Sequence, residues 1–504
     1  MEPVTIYYTS DTHGYLFPTN YVDDEIRPMG MLQAMHQFHK DENTIIIDGG
    51  DTLQGSAMAK YAQEHPSVGI PQAKVFNAAG YDLVVLGNHD FNYGYERLAD
   101  YLNALDAECL CANVIDRKDS LHIKPYKTVT FPNGLRVGFV GVVTDYVNLW
   151  EKPENLTHIG VTDAFSAASQ ALQAIKSQCD VTVCIYHGGY EADLETGKSL
   201  TMSRENIGYR IATELSYDVL LCAHQHMDIP GCLIGRTYTL QLPANAAKFA
   251  KLHIKKEDSG DIEISGETVQ TGIEHDEHPY QELLPLERKV QTWLAQPIGH
   301  LAQAIPPVAK LESAYSGSRI ADFYNQIQLD HTRADFSCTS LGNSPAGFSR
   351  NVTVQQIIAT YQFPNTLVVL EVDEPALRLA LERCAEYFTL EPDGTLRVSD
   401  CFVKPKVEHY NYDYFAGFSY TFDIRKPIGS RVVRLLYKGK PLGDRKFSLC
   451  MNNYRASGTG GFEVYQSCKI LQVINEDVQD LTIDYLRAHP VLENWQKPDF
   501  KVIW

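Results

Sequence analysis

Five apolar runs in the first half of this 504-residue chain each end in a short polar turn, and this pattern constrains the fold more than any other feature. The clearest example is segment 82–92, DLVVLGNHDFN, in which the run stops at Gly87 and is followed by Asn88, His89 and Asp90. An apolar, β-branched run that stops at glycine is typical of a buried strand ending in a tight turn. Ligands of α/β sheets bind at the carboxyl ends of strands. We therefore expect these turns to carry the functional groups.

The other four runs end in the same way. Their segments, with the turns that follow, are 4–9 with SDTHG, 44–48 with GGD, 180–186 with HGG, and 218–222 with AHQH. Helical spacing at 57–79, 164–178 and 207–215 separates these runs, and 136–143 is a further strand candidate. Strands that alternate with helices favour an α/β layered domain. A predicted hairpin at 248–268, around the turn DSGD, completes a first domain that spans 1–273.

The second half of the chain has a different organisation. Segment 274–300 is charged, carries three prolines and one helical piece near 286–294, and is predicted to be a linker. The remaining domain, 301–504, has strands and helices in a less regular order, so α+β is the expected class. Its predicted strands are 366–372, 418–424, 432–437 and 447–452, and its predicted helices are 320–329, 374–388 and 478–489.

Charge and composition limit the partners. The formal net charge of −19 argues against binding to nucleic-acid polymers or anionic membranes. A small anionic substrate is compatible with it, since metal ions reverse the local potential. We find no apolar window of the roughly 18 residues that span a membrane, and the eleven scattered cysteines resemble buried, reduced thiols. We expect a monomer or weak oligomer in the cytoplasm, or in the periplasm or at the cell surface if an export signal was removed.

The strand ends supply seven candidate metal ligands: Asp11, His13, Asp51, Asn88, His187, His224 and His226. Carboxylate, imidazole and amide groups suit Mn²⁺, Fe²⁺, Co²⁺ or Zn²⁺. Seven ligands are more than a single metal site with an open position would use. They suit two metals about 3.5–4 Å apart, bridged by a carboxylate and a hydroxide. That hydroxide would attack a phosphate. Taken alone, D-x-H, G-D and H-G after a strand are more often structural turns, H-x-H is a turn as often as a ligand pair, and G-N-H-D is the most specific of the five. All five in series are hard to explain as turns only.

The series D-x-H, G-D, G-N-H-D, H-G and H-x-H resembles the signature of the calcineurin-like metallophosphoesterases. The chain length and second half are similar to the two-domain 5′-nucleotidase group. Segments 87–94, 363–366 and 452–456 are most similar to its bacterial 2′,3′-cyclic-nucleotide 2′-phosphodiesterase/3′-nucleotidase branch. The resemblance implies a layered α/β metallophosphoesterase β-sandwich flanked by helices, followed by a C-terminal α+β nucleotidase domain that binds the nucleotide.

The resemblance also implies roles for individual residues. One metal would be held by Asp11, His13, Asp51 and His226, and the other by Asp51, Asn88, His187 and His224, with Asp51 as the bridge. His89 matches the catalytic histidine, which stabilises the transition state or protonates the leaving oxygen, and Asn88 beside it is the other predicted catalytic residue.

In this family the second domain sandwiches the base between two aromatic rings, and such stacking tolerates any base. Tyr454 matches one ring, and the other lies within 410–414, where we favour Tyr412 over Tyr410. Phe363 is a third candidate. The predicted substrate-binding residues are therefore Tyr454, Tyr412, Phe363, Asn343, Gly458 and Gly460.

Three positions depart from the pattern of the family. Asn92 stands three residues after His89, where the 5′-nucleotidase branch usually has an aspartate that orients the histidine. Ala223 stands before H-x-H where glycine is common, and the phosphate-contacting G-G-x-R pattern is absent around 341–344. The leading hypothesis is a metallophosphoesterase that hydrolyses 2′,3′-cyclic nucleotides and 3′-nucleotides. The alternatives are a 5′-nucleotidase or UDP-sugar hydrolase and a non-catalytic nucleotide-binding module.

Overall fold

The computed structural model describes residues 2–23, 25–200, 203–363, 365–489, 491–492 and 499–504. Two compact units make up the chain, Met1–Gln291 and Thr292–Trp504. The boundary between the two units falls within the predicted linker 274–300. The limits of that linker remain predictions. Glu277–Leu294 in this segment is one helix with Pro285 inside it, longer than the helical piece expected there. Pro364 of the segment 363–366 lies outside the described residues.

Two six-stranded sheets form the framework of the first unit. The first sheet, in spatial order, consists of Ile262–Gln270, Lys248–Lys256, Val4–Thr9, Thr44–Asp48, Leu83–Val84 and Glu108–Cys109. The second consists of Ile229–Ile234, Thr237–Gln241, Val219–Cys222, Val181–His187, Arg136–Val143 and Tyr126–Thr130. A small third ladder pairs Val114–Asp116 with Ile159–Val161.

Within each sheet, the strands that precede the polar turns run parallel to one another. Val4–Thr9, Thr44–Asp48 and Leu83–Val84 form one parallel set, and Val219–Cys222 pairs in parallel with Val181–His187 in the other sheet. Parallel strands end at the same edge of a sheet, so each set delivers its turns to one place.

The core of the first unit lies between the two sheets. Ile6, Ile47 and Leu83 from the first sheet belong to the same buried cluster as Val183 and Leu221 from the second. A second cluster covers the outer face of the second sheet, where helices Ala164–Ile175 and Gly208–Glu214 pack. The sandwich flanked by helices that the sequence predicted is confirmed.

The other helices of this unit are short. They are Met31–Met35, Ala57–Glu64, Pro71–Ala79, Gly94–Ala104 and Val147–Trp150, with 3₁₀ turns at Pro66–Val68, Asn88–Phe91 and Lys176–Gln178. The prediction of a single helix at 57–79 was wrong, because Pro66 and Pro71 divide this segment into separate helices. Proline lacks the N–H that would continue a helix, but it is well suited to the first turn of the next one.

The second unit combines a five-stranded sheet with a four-stranded sheet and two smaller ladders, which confirms the α+β class. The larger sheets consist of Asp413–Ala416, Phe336–Ser340, Phe447–Asn452, Leu367–Val372 and Lys469–Ile474, and of Lys440–Pro441, Val432–Tyr437, Ser419–Asp423 and Phe500–Ile503. The smaller ladders consist of Asn351–Thr353, Pro297–Leu301 and Val491–Leu492, and of Phe388–Leu390 and Leu396–Val398.

The helices of the second unit complete the fold. They are Lys310–Ser316, Arg319–Thr332, Val354–Thr360, Glu374–Ala385, Asn453–Ala456 and Val478–Ala488, with 3₁₀ turns at Asp400–Phe402, His409–Asn411 and Glu463–Ser467. Among the described residues, no helix combines the length and the apolar character that crossing a membrane requires.

Candidate metal centre

The polar turns of the two sheets converge on one cluster of Asp and His side chains. Asp11, His13, Asp51 and His226 form one group, and Asp51, His187 and His224 form a second. Within each group the potential ligand atoms lie within 4.8 Å of one another, and Asp51 belongs to both. Segments that are far apart in the chain therefore supply one site, which is a buried Asp/His cluster able to bind metal.

Short distances join the members of the cluster. Asp51 Oδ2 lies 3.2 Å from His187 Nε2 and 3.9 Å from His13 Nε2. His226 Nε2 lies 3.4 Å from Asp11 Oδ1 and 3.0 Å from His13 Nε2. The carboxylates and the ring of His187 are fully buried, so water does not screen these groups.

Hydrogen bonds to the backbone determine which nitrogen of two histidines faces the cluster. His187 Nδ1 lies 2.7 Å from the carbonyl oxygen of Gly49, and His13 Nδ1 lies 2.8 Å from that of Gln54. A carbonyl only accepts, so both Nδ1 atoms donate, and the Nε2 atoms are the ring nitrogens that face the carboxylate of Asp51. A buried carboxylate in this position needs a positive charge beside it, which either a proton on Nε2 or a metal ion supplies. Metal-binding histidines typically donate their other nitrogen to a carbonyl in this way.

Asn88 adds a neutral oxygen to this arrangement. Its Oδ1 is buried and has no hydrogen-bond partner among the described residues. The residue before it, Gly87, lies so close to the cluster that a Cβ there would be 2.1 Å from Asp51 Oδ1 and 2.6 Å from His187 Cε1. A buried amide oxygen without a donor is suited to a metal ion. The donor set of the cluster therefore fits divalent cations.

Backbone strain is concentrated at the predicted ligands. Asp11, His13, Asp51, His224 and His226 all have positive φ, between 49° and 71°. Non-glycine residues seldom adopt this left-handed conformation, and where they do so at a site the strain is held by the surrounding structure for function.

The electrostatics of the cluster favour added positive charge. Burial acts to lower the pKa of His187, but the negative charge and hydrogen bond of Asp51 outweigh it and raise this pKa to about 10. Burial acts to raise the pKa of Asp11, but the hydrogen bond and charge of His226 outweigh it and lower this pKa. Burial lowers the pKa of His13 to about 4, so this ring is neutral and able to bind metal at pH 7.

Asp90, to which the sequence analysis gave no role, connects the turns of the first sheet. Its Oδ2 accepts the backbone N–H groups of Asp51 at 2.9 Å and Gly87 at 2.8 Å. Its Oδ1 accepts those of Thr52 at 2.8 Å and Leu53 at 2.9 Å. The turn that carries Asp51 and the turn that carries Asn88 are therefore tied to one carboxylate. The position of Asp90 inside G-N-H-D was the available signal.

Glu205 is a second residue that the sequence analysis missed. Its Oε1 lies 2.9 Å from His224 Nε2, which leaves Nδ1 as the nitrogen of His224 that can bind a metal. The ring of His224 also stacks on Trp150, with 5.5 Å between the centroids. Glu205 lies 19 residues before His224, outside any regular element, and no sequence pattern identified it.

His89 lies at the edge of the cluster. Its backbone N–H donates to Asp51 Oδ1 at 2.7 Å, and its ring centroid is 5.5 Å from that of His13. The ring is only half-buried, so it is accessible to a substrate. This position is consistent with the catalytic role that the resemblance implies for His89.

The second unit places most of the predicted substrate residues in one neighbourhood. Phe363 is exposed, and its ring lies 5.8 Å from that of Tyr410. A Cβ at Gly342 would lie 3.7 Å from Phe363, which brings the loop of Asn343 beside these rings. The side chain of Asn343 is itself occupied, since it accepts from the N–H of His409 and donates to the carbonyl of Val407.

The choice of Tyr412 as a stacking ring was wrong. Tyr412 is 2% exposed, its hydroxyl donates to the carbonyl of Ala314, and its ring packs on Tyr387 and Tyr414 in the core. Tyr410, two residues earlier in the 3₁₀ turn, is the half-buried ring beside Phe363.

Arg455 joins Tyr410 to the glycine turn that contains Gly458 and Gly460. Its guanidinium donates to the carbonyl oxygens of Tyr410 at 2.9 Å and Thr459 at 2.6 Å, and it forms an ion pair of 2.8 Å with Asp413. Any Cβ at Gly460 would lie 2.6 Å from Arg455 Nη1, so only glycine fits there. Tyr454 directly precedes Arg455 in the chain. The buried ion pair of Arg455 with Asp413 therefore supports both segments that carry predicted stacking rings, the one with Tyr410 and the one with Tyr454.

Lys310 is another residue that no sequence pattern identified. Its ammonium donates to the carbonyl of Gly342 and, at 3.4 Å, to that of Leu341. The hydrogen-bond partners of this ammonium among the described residues are carbonyl oxygens, and burial lowers its pKa to about 8. The ammonium has a third N–H donor. Lys310 thus places a positive charge beside loop 341–344, in which the arginine of the G-G-x-R pattern is absent.

Comparisons with known proteins agree with this organisation. Residues 4–228 match the family model described as calcineurin-like phosphoesterase, and residues 297–467 match that of the 5′-nucleotidase C-terminal domain. The 2′,3′-cyclic-nucleotide 2′-phosphodiesterase/3′-nucleotidase of Haemophilus influenzae is 23% identical over 98% of this chain and 86% of its own length. The trifunctional nucleotide phosphoesterase protein YfkN of Bacillus subtilis is 25% identical over 96% of this chain, which spans 38% of that protein.

Solved structures show the same two-domain fold. A Staphylococcus aureus protein assigned to the 5′-nucleotidases, in complex with alpha-ketoglutarate, is 31% identical with a TM-score of 0.92 over 100% of both chains. The 5′-nucleotidase precursor of Thermus thermophilus, 20% identical with a TM-score of 0.70 over 99% of both chains, shares the fold. The chain therefore belongs to the calcineurin-like phosphoesterases, in the group with a 5′-nucleotidase C-terminal domain, and is a phosphoester hydrolase.

Proposed function

We propose that this protein is a dinuclear metal-dependent phosphohydrolase that opens 2′,3′-cyclic nucleotides to 3′-nucleotides and then releases phosphate to give the nucleoside. The observation that supports the chemistry is the pair of Asp/His groups that share Asp51, in which the Nε2 atoms of His13 and His187 face a buried carboxylate. One cation would be held by Asp11, His13, Asp51 and His226, and the other by Asp51, Asn88, His187 and His224.

Bound cations such as Mn²⁺, Zn²⁺, Fe²⁺ or Co²⁺ would neutralise phosphoryl oxygens and lower the pKa of an attacking water. The protein supplies the positioning. Asp90 holds the turns of Asp51 and Asn88 at one spacing, and Glu205 holds the ring of His224. We assign to His89 the stabilisation or protonation of the leaving ribose oxygen.

The substrate class is supported by the relatives and by the second unit. Three relatives named 2′,3′-cyclic-nucleotide 2′-phosphodiesterase/3′-nucleotidase, from Haemophilus influenzae, Salmonella typhimurium and Yersinia enterocolitica, are 22% to 24% identical over 80% to 86% of their lengths. The neighbouring rings of Phe363 and Tyr410 offer an aromatic surface on which a base of any identity can stack. Tyr454 is the residue before Arg455, whose guanidinium binds the carbonyl of Tyr410. The ammonium of Lys310, bound to the carbonyl of Gly342 in the loop that lies next to Phe363, would attract the anionic part of the ligand.

A panel of four substrates tests the proposal. The rates of hydrolysis of 2′,3′-cyclic AMP, 3′-AMP, 5′-AMP and a UDP-sugar are measured side by side with Mn²⁺. We expect the first two to have the highest kcat/KM. A preference for 5′-AMP or the UDP-sugar would contradict the substrate assignment and leave the metal centre intact.

A 5′-nucleotidase or UDP-sugar hydrolase is the second candidate. It is favoured by the 31% identity, over the whole chain, to the Staphylococcus aureus protein assigned to the 5′-nucleotidases. A non-catalytic nucleotide-binding module is the third candidate. It is tested by measuring the metal content and the hydrolysis rate of the wild type and of Asp51→Asn. Hydrolysis that is unchanged in this variant and needs no metal would favour the binding module.

A further inference from the structure

The carboxylate of Glu151 is linked to His89 through the side chain of Asn92. His89 Nδ1 lies 2.7 Å from Asn92 Oδ1, and Asn92 Nδ2 lies 2.6 Å from Glu151 Oε2. Glu151 is distant from His89 in the chain and directly follows the short helix Val147–Trp150. The three side chains form one hydrogen-bonded chain that ends on the predicted catalytic ring.

Glu151 determines which way the amide of Asn92 points. An ionised carboxylate only accepts, so the amide nitrogen of Asn92 must face Glu151 and its oxygen must face His89. The amide oxygen also only accepts, so His89 Nδ1 carries a proton in this arrangement. Nε2 is then the nitrogen that can exchange a proton with a substrate. Without Glu151 the amide of Asn92 could turn over, and either tautomer of His89 would be satisfied.

The carboxylate of Glu151 is held in place by its own partners. Its Oε1 accepts the backbone N–H of Lys152 at 2.7 Å and the side-chain amide of Asn155 at 2.8 Å. The same amide of Asn155 donates to the carbonyl oxygen of Asn92 at 2.9 Å. Segment 151–155 is therefore tied to the turn of His89 by two routes, one to the side chain of Asn92 and one to its backbone.

We propose that Glu151 is a positioning residue for phosphoester hydrolysis, which acts through Asn92 to hold His89 in one orientation with its proton on Nδ1. The proposal rests on the phosphoester hydrolysis described above and does not depend on which nucleotide is the substrate. As the attacking water forms its bond to phosphorus, the P–O bond to the leaving group breaks and its electron pair goes to the leaving oxygen. The doubly protonated ring gives its Nε2 proton to that oxygen, and Nε2 takes up a proton from solvent before the next turnover. The Nδ1 proton stays on the ring, hydrogen-bonded to Asn92.

A double-mutant cycle tests this assignment. Glu151→Ala, His89→Asn and the double variant are assayed with the best nucleotide of the panel and with bis(p-nitrophenyl) phosphate, whose leaving group needs no proton. We expect Glu151→Ala to lower kcat for the nucleotide by about 10- to 100-fold, with KM and bound metal within about twofold of wild type. For bis(p-nitrophenyl) phosphate we expect a change of less than about threefold.

In the His89→Asn background the same substitution should change kcat by less than about twofold, because the residue through which Glu151 acts is absent. Glu154→Ala, an exposed carboxylate in the same segment, is the matched control and should behave as wild type. Equal losses in both backgrounds, equal losses on both substrates, or loss of metal would overturn the proposal and assign Glu151 to folding. Glu151→Asp should restore part of the rate.

These outcomes are separate from those of the proposed function. Wild-type protein that hydrolyses bis(p-nitrophenyl) phosphate and prefers 5′-AMP contradicts the substrate assignment, and the cycle is then carried out with 5′-AMP. Wild-type protein with no phosphoesterase activity towards any of these compounds contradicts both.

Discussion

The substitution Asp90→Asn tests whether a single buried carboxylate sets the geometry of the metal centre. Asp90 is 1% exposed and accepts four backbone N–H groups at 2.8 to 2.9 Å. Asparagine has nearly the same shape, so it removes acceptors and leaves little cavity. Its single oxygen can keep the N–H groups on one side, and its NH₂ group faces the others.

The expected magnitude follows from the hydrogen bonds lost. Two buried N–H donors lose their acceptor, and each such loss costs about 1–3 kcal/mol. Part of this loss is offset, because burial first and the charge of Asp51 second raise the pKa of Asp90, so its ionised form carries a desolvation cost in the native protein. We expect the free energy of unfolding of the first unit to fall by about 2–4 kcal/mol.

The same change should weaken metal binding. The turns of Asp51 and Asn88 lose their common anchor, and loss of such a supporting contact lowers metal affinity by about 10- to 100-fold. Urea unfolding followed by circular dichroism measures the first effect. Titration of the metal-free protein with Mn²⁺ measures the second.

Asp106→Asn is the matched control, since Asp106 is exposed on the same unit and its side chain makes no hydrogen bond among the described residues. This variant should be within about 0.5 kcal/mol of wild type. Should Asp90→Asn match the control in stability and bind Mn²⁺ as tightly as wild type, the anchoring role of Asp90 would be refuted.

Three further predictions concern other buried charges. Asp51→Asn removes the carboxylate common to both groups, so hydrolysis should fall by on the order of 100-fold or more, with less metal retained in elemental analysis. The pKa of Lys310 is lowered to about 8 by burial, so its ammonium is lost as the pH rises through 8. KM for a nucleotide should therefore rise by about tenfold above that pH, whereas Lys310→Met should show a high KM at every pH. Arg455→Met leaves Asp413 buried without its partner and should cost about 3–5 kcal/mol in urea unfolding of the second unit, and the further change Asp413→Leu should recover part of this loss.

Much of the site could be predicted because its signals are local. An apolar run, a glycine and a polar turn occupy fewer than a dozen consecutive residues, as in 82–92, and the strand and its turn are determined by those residues. The prediction of one helix at 57–79 failed where a local signal was given too little weight, since both prolines were visible in the sequence.

The residues that support the ligands could not be predicted in the same way. Glu205 meets His224, and Glu151 meets Asn92, only because separate segments are brought together when the sheets pack. Which face of a segment is buried also depends on packing, and so Tyr412 lies in the core while Tyr410 lies beside Phe363. Contacts between segments that are distant in the chain cannot be predicted from local patterns in a single sequence.

The sequence by itself determined the chemical type of this protein, because the Asp, His and Asn side chains of the candidate metal centre are placed at strand ends by local hydrophobic pattern and turn residues. Only the tertiary structure decided how those side chains are held. The tautomers of His13 and His187 depend on carbonyls from other loops, and the spacing of Asp51 and Asn88 depends on the carboxylate of Asp90. Hydrogen bonds between distant segments exist only in the packed chain, and they give the site its geometry.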